Sequence, residues 1–131
     1  MRLLDEYIKE LGEDTHLDEF TVRDAQLKLP GIKHKWVGRL MRTKAANGKL
    51  SKERAIQLSK IIDILMKESL VKPSLPMARS RAEGHETIRE IDSQISDNKI
   101  IIEFLERVEK IFNSMTFDIR NLTEIMKLET Q

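Results

Sequence analysis

Residues 87–131 read TIREIDSQISDNKIIIEFLERVEKIFNSMTFDIRNLTEIMKLETQ, and neither proline nor glycine interrupts them. Ile88, Ile91, Ile95, Ile102, Leu105, Val108, Phe112, Met115, Ile119, Leu122 and Met126 recur there at heptad-like steps of three and four, with Asn98 among them. That period puts them on one face of an α-helix. Thr87, followed three residues later by Glu90, matches a capping box, in which hydroxyl and carboxylate each satisfy a free N–H at the helix start. The stripe slips once, from Leu105 to Val108, as in a stammer. A stripe this long and narrow needs cover along its length, either from other helices of the chain or from copies of itself. Asn98 either fixes register as a buried polar group or lies on the surface beside the seam. The expected fold is all-α and oligomeric, closed by a C-terminal oligomerisation helix over 87–131. Its subunit contacts are expected at Ile95, Ile102, Leu105, Val108, Phe112, Met115, Ile119 and Leu122.

Working back toward the N-terminus, Pro73, Pro76 and Gly84 punctuate residues 72–84, which read as an exposed loop and give a flexible connection over 70–86. Leu58, Ile61, Ile62, Leu65 and Met66 form a helical pattern reaching about Ser69. Ile32, Trp36, Val37, Leu40 and Met41 form a one-sided stripe. Residues 32–69 are therefore a long helical segment, either continuous or broken at Gly48, since an interior glycine costs only about 1 kcal/mol. Pro30-Gly31 is a turn signal. Before it, Leu4, Ile8 and Leu11 mark one short amphipathic helix, and Phe20, Val22 and Leu27 a second. A chain of 131 residues accommodates all of this in a single helical domain.

Net charge is only +1, but it is strongly segregated. Residues 1–31 hold four basic and eight acidic side chains, residues 32–60 nine basic and one acidic, and residues 61–131 ten basic and thirteen acidic. The middle segment is the natural place for a polyanion, because local field matters to phosphates more than the total does. Lys35, Arg39 and Arg42 form a basic stripe at helical spacing, and Lys44, Lys49, Lys52, Arg54 and Lys60 extend it. These eight are the candidate nucleic-acid contacts. The plainer alternative is a solvated helix whose cations face the acidic flanks of the same chain. Trp36, the single tryptophan, lies between Lys35 and Arg39, where an aromatic ring can stack an unpaired base. It also shares the apolar stripe with Ile32 and Leu40, and the core role is favoured.

Catalytic chemistry is hard to find. Cysteine is absent, which excludes disulfides and thiolate chemistry. His16, His34 and His85 have no second ligand at helical spacing, so no metal site is expected. Gly48-Lys49 has Thr43 where a phosphate loop needs glycine and Leu50 where it needs serine or threonine. Glu103, Glu106 and Glu109 read as solvated charges. No enzyme activity and no cofactor are expected. No apolar run exceeds three residues, as in Ile100-Ile101-Ile102, far short of the roughly 18 residues of a membrane span. The acidic start excludes a secretory signal, so a soluble, cytoplasmic chain is expected.

Taken in order, several features resemble the UvsY recombination mediators of T-even-type phages. They are the acidic amphipathic opening with Ile8, Leu11, Glu13-Asp14 and Leu17-Asp18, then Leu29-Pro30-Gly31, and Lys35-Trp36 at the head of a basic helix. The closing stripe runs from Ser96-Asp97 through Phe104-Leu105, Val108 and Ile111 to Ile119 and Asn121. The resemblance covers almost the whole chain and rests on order and spacing. It implies a helical protein without catalytic activity that forms rings of six or seven subunits through its C-terminal helices. It also implies binding to single-stranded DNA and help in loading a RecA-like recombinase onto strands covered by single-strand-binding protein. Such a protein acts in the cytoplasm of an infected host, in recombination, replication and repair. The family's Lys-Ala-Arg-Leu signature has Ser59-Lys60-Ile61-Ile62 as its gapless counterpart. Either phosphate contacts lie upstream at Arg39, Arg42, Lys49, Lys52 and Arg54, or strand binding is weaker. A duplex-binding regulator and a helical adaptor that ignores DNA are the competing functions.

Overall fold

The computed structural model describes residues 2–17 and 22–130, which form four α-helices and no strand. These are α1 (Arg2–Asp14), α2 (Val22–Glu68), α3 (Leu75–Glu83) and α4 (Glu86–Glu129). The all-α class and the C-terminal helix are as expected. The chain packs as two compact units, residues 1–42 with 101–131 and residues 43–100. Their limits do not follow the Pro/Gly punctuation.

In the first unit, Val22, Leu29, Trp36 and Leu40 of α2 meet Ile101, Leu105, Val108, Phe112, Met115 and Ile119 of α4. The α4 positions step by four and three throughout, the spacing of a coiled-coil seam. Two expectations change here. Ile101, not Ile102, is the buried residue, so there is no slip between Leu105 and Val108. In addition, Leu105, Val108, Phe112, Met115 and Ile119 are covered by their own chain, so these five do not form an exposed seam between subunits. Ile102 and Leu122 are partly buried and pack against the same core.

The turn expected at Pro30-Gly31 is absent, because α2 runs through it. Proline removes the N–H that would bond the Gln26 carbonyl and costs about 3 kcal/mol in a helix interior. Both Gln26 and Pro30 lie on the exposed side, where water can satisfy that carbonyl. Fully burying neighbouring side chains of the same helix, such as Leu29, Trp36 and Leu40, contributes about 1.5–3 kcal/mol each. Packing therefore outweighs the local break. Val22 opens α2 rather than sitting in a short second helix, Leu27 is exposed, and Phe20 lies outside the described residues. The helix also continues through Gly48.

The second unit holds the remainder of α2, all of α3 and the start of α4. Leu58, Ala82 and Ile88 are buried together, with Ile61, Ile62 and Leu65 packed against them. The flexible loop expected over 70–86 contains α3 instead. Ser74 is its N-cap, accepting a hydrogen bond from the Met77 N–H at 3.4 Å, and Pro76 stands in the first turn, where its missing donor is harmless. Gly84 caps the other end. Ala78 and Ala82 are fully buried, small enough to let the helix backbone approach its neighbours. The capping box of α4 is not formed either. Thr87 already lies inside the helix, and the N–H groups of Thr87 and Arg89 donate to Nδ1 (3.1 Å) and the carbonyl (3.0 Å) of His85.

Candidate nucleic-acid interface

Helix α2 carries all eight candidate cations, but the structure sorts them into two kinds. In the first unit, Lys35 and Arg39 point at the acidic face of α1. Lys35 Nζ lies 2.6 Å from Asp14 Oδ2 and 3.7 Å from Glu10 Oε1. Arg39 forms a two-pronged pair with Glu10, Nη1 to Oε2 and Nη2 to Oε1. The Arg39 bond holds the Glu10 carboxyl below its ordinary value and raises the guanidinium of Arg39 in turn. Trp36 is 3% exposed, and its Nε1–H donates to Asp14 Oδ2 at 2.9 Å. The rings of Tyr7 and Phe104 meet Trp36 edge-on at centroid distances of 5.6 and 6.4 Å. The Arg39 guanidinium lies 4.7 Å from both the Tyr7 and the Trp36 ring centroids. For Lys35 and Arg39, the acidic-flank alternative therefore describes the structure. Arg42 is exposed and forms no ion pair among the described residues.

In the second unit, Arg54 is also occupied. Its Nε lies 2.6 Å from Asp92 Oδ1 and its Nη2 3.4 Å from Asp92 Oδ2, and this bond raises its guanidinium pKa. Lys49, Lys52 and Lys60 differ. Their spacing keeps them within about 80° of one another around α2, opposite the face formed by Leu58, Ile61 and Leu65. All three are exposed, and none has an ion-pair partner among the described residues. Ile56, 51% exposed, lies inside the same strip. A basic strip whose cations form no ion pair, beside an apolar patch, can hold a polyanion backbone and accept contact from something flat or apolar. Lys44 is exposed as well.

Of the expected subunit contacts, Ile95 is half-buried in the second unit. The sequence reading missed a different set on α4. Ile111, Phe117, Ile125 and Leu128 are exposed, Phe117 by 64%, and lie off the buried stripe within a strip about 120° wide. The α1 pairing was expected only as the plainer alternative and without named partners, although Glu10/Asp14 and Lys35/Arg39 share the i, i+4 spacing that allows two helices to pair twice.

No group of three or more metal-ligating side chains occurs among the described residues. A groove of about 520 Å³ in the first unit is floored by Leu29, Pro30 and Ile119. Its polar groups pair with one another, Lys33 Nζ with Thr116 Oγ1 at 2.9 Å and Gln26 Nε2 with Thr123 Oγ1 at 3.3 Å. Among the described residues, no helix is long and apolar enough to cross a membrane.

No protein-family model matches the chain, and no curated protein matches by sequence. Solved structures do match. The crystal structure of the bacteriophage T4 recombination mediator protein UvsY superposes in one lattice with a TM-score of 0.81 at 13% identity, covering 96% of this chain and 98% of that one. Two further lattices of the same protein give the same score and identity, covering 98% and 95% of this chain. The fold is therefore that of UvsY over nearly the whole chain.

Proposed function

We propose, from a fold shared with UvsY, that this protein is a recombination mediator. It binds single-stranded DNA as a ring-like homo-oligomer. There it helps a RecA-like recombinase onto strands already covered by single-strand-binding protein. The observation that carries this reading is the exposed strip of Lys49, Lys52 and Lys60 on α2, none of them ion-paired among the described residues. A few cations per subunit bind a strand weakly, and a closed assembly that repeats the strip turns weak contacts into avidity. A strand held along such a surface is extended or bent, which loosens a competing single-strand binder and presents the bases to a filament-forming recombinase. Subunit contact passes to the outward residues of α4, Ile111, Phe117, Ile125 and Leu128, because the stripe through Leu105 and Phe112 is already covered.

The test is fluorescence anisotropy with labelled single-stranded and duplex DNA of one length, titrated across salt. Preference for single strands with a steep salt dependence is the expected result. A preference for duplex of defined sequence supports a regulator instead. The pairing of Lys35, Arg39 and Arg54 inside the chain favours an adaptor role as the second reading. No binding at low salt would overturn the mediator reading in favour of the adaptor.

A further inference from the structure

The N-terminal helix is strongly amphipathic, yet none of its residues is buried. Tyr7 and Leu11 pack only partly against the core of the first unit. Polar contacts also fasten α1, among them Glu10 on Arg39 and Lys35, and Asp14 on both Lys35 and the Trp36 indole N–H. We propose that α1 is a displaceable cover over a second single-strand site, formed by Trp36, Lys35 and Arg39, and that the strand itself removes it. This rests on the single-strand-binding reading above and extends it to residues whose cations are occupied when no strand is bound.

The exchange is nearly balanced in kind. Two carboxylates leave two cations, and two phosphates of a strand replace them. The edge-on ring of Tyr7 leaves one side of Trp36, and an unpaired base stacks there. A base on an aromatic ring contributes about 1–3 kcal/mol, and a neighbouring guanidinium adds to it. Arg39 already lies over the ring of Trp36. An element with no buried side chain belongs to the low end of the range of local opening free energies. The carboxylates thus hold the place of phosphates. They keep two cations and a large aromatic surface from nonspecific contacts until a strand competes for them.

Trp36 is the single tryptophan of the chain, so its emission reports on the cover directly. The full-length protein is titrated with oligothymidylate while anisotropy of the labelled strand and Trp36 emission are followed together. The double variant Glu10→Gln/Asp14→Asn is treated in the same way. Displacement predicts that bound strand quenches Trp36 and that the variant binds severalfold tighter. It also predicts that Lys49→Ala weakens binding while leaving the quenching at saturation intact. Binding of the natural sequence with Trp36 emission unmoved overturns the cover and leaves the single-strand reading standing, whether or not the variant folds. A folded variant that binds no tighter than the natural sequence overturns it too. If neither protein binds oligothymidylate at low salt, both the reading and the inference fall.

Discussion

Lys52 and Arg54 are two residues apart on α2, and the structure uses them differently. Arg54 is held by Asp92, 38 residues away, whereas Lys52 faces solvent with Lys49 and Lys60. Alanine at Lys49, Lys52 or Lys60 is expected to weaken single-strand binding. Each loss should flatten the slope of log K against log salt by about 0.7 per contact removed, measured by anisotropy. Arg54→Ala should instead leave that slope unchanged and cost at most about 1 kcal/mol of stability in urea, the range for a partly exposed pair. Composition showed where the cations concentrate but could not separate these two. The partner of Arg54 is far away in sequence, and only the packing of α4 brings it near. Glu10 likewise has its partners, Arg39 and Lys35, far away in sequence, on α2. Its carboxyl is held below the ordinary value, so the folded state binds its proton less readily than the unfolded chain does. The stabilisation is then complete above the ordinary carboxylate value of 4.5 and is lost as pH falls below it. Acid titration should therefore loosen α1 first, visible as a rise in Trp36 quenching by acrylamide before the far-ultraviolet helix signal falls.

At the scale of elements, long periodic stripes were legible and punctuation was misleading. The α4 stripe and the amphipathic α1 follow directly from spacing. Pro30-Gly31 signals a turn in isolation, yet the buried Leu29 and Trp36 keep α2 helical. Ser74, Pro76 and Gly84 are start and stop signals of a short helix, and the same residue types also make loops. Which of the two they make is decided by Ala78 and Ala82, whose role as close-packing residues is apparent only once they are buried. Gly48 is the clearest case of a residue that packing overrides. It lies inside α2, and an added Cβ would meet nothing within 4 Å. Gly48→Ala should raise stability by about 0.4–1 kcal/mol by reducing the freedom of the unfolded chain, read as a higher melting temperature at unchanged strand affinity.

For the molecule as a whole, the proposed subunit contacts and the folding core lie on different parts of α4. Phe117→Asp with Ile125→Asp should yield a smaller species in sedimentation equilibrium while leaving the helix content intact, because both side chains are already exposed. Phe112→Ala, by contrast, empties a buried position and should cost about 3–5 kcal/mol in the subunit itself. An exposed second strip on one helix could not be separated from the buried one by period alone, since Ile111 and Phe117 sit among core residues in sequence. The division of the chain has a kinetic consequence as well. One unit is continuous, residues 43–100, while the other is assembled from both ends of the chain. Its cross-links, such as Lys33 to Thr116, span 83 residues, and closing so wide a loop is slow unless the intervening chain has already contracted. The continuous unit should therefore form early. In stopped-flow experiments Leu58→Ala is expected to slow refolding, while Phe112→Ala mainly hastens unfolding. The two segments that flank the continuous unit would then meet only at the close of folding.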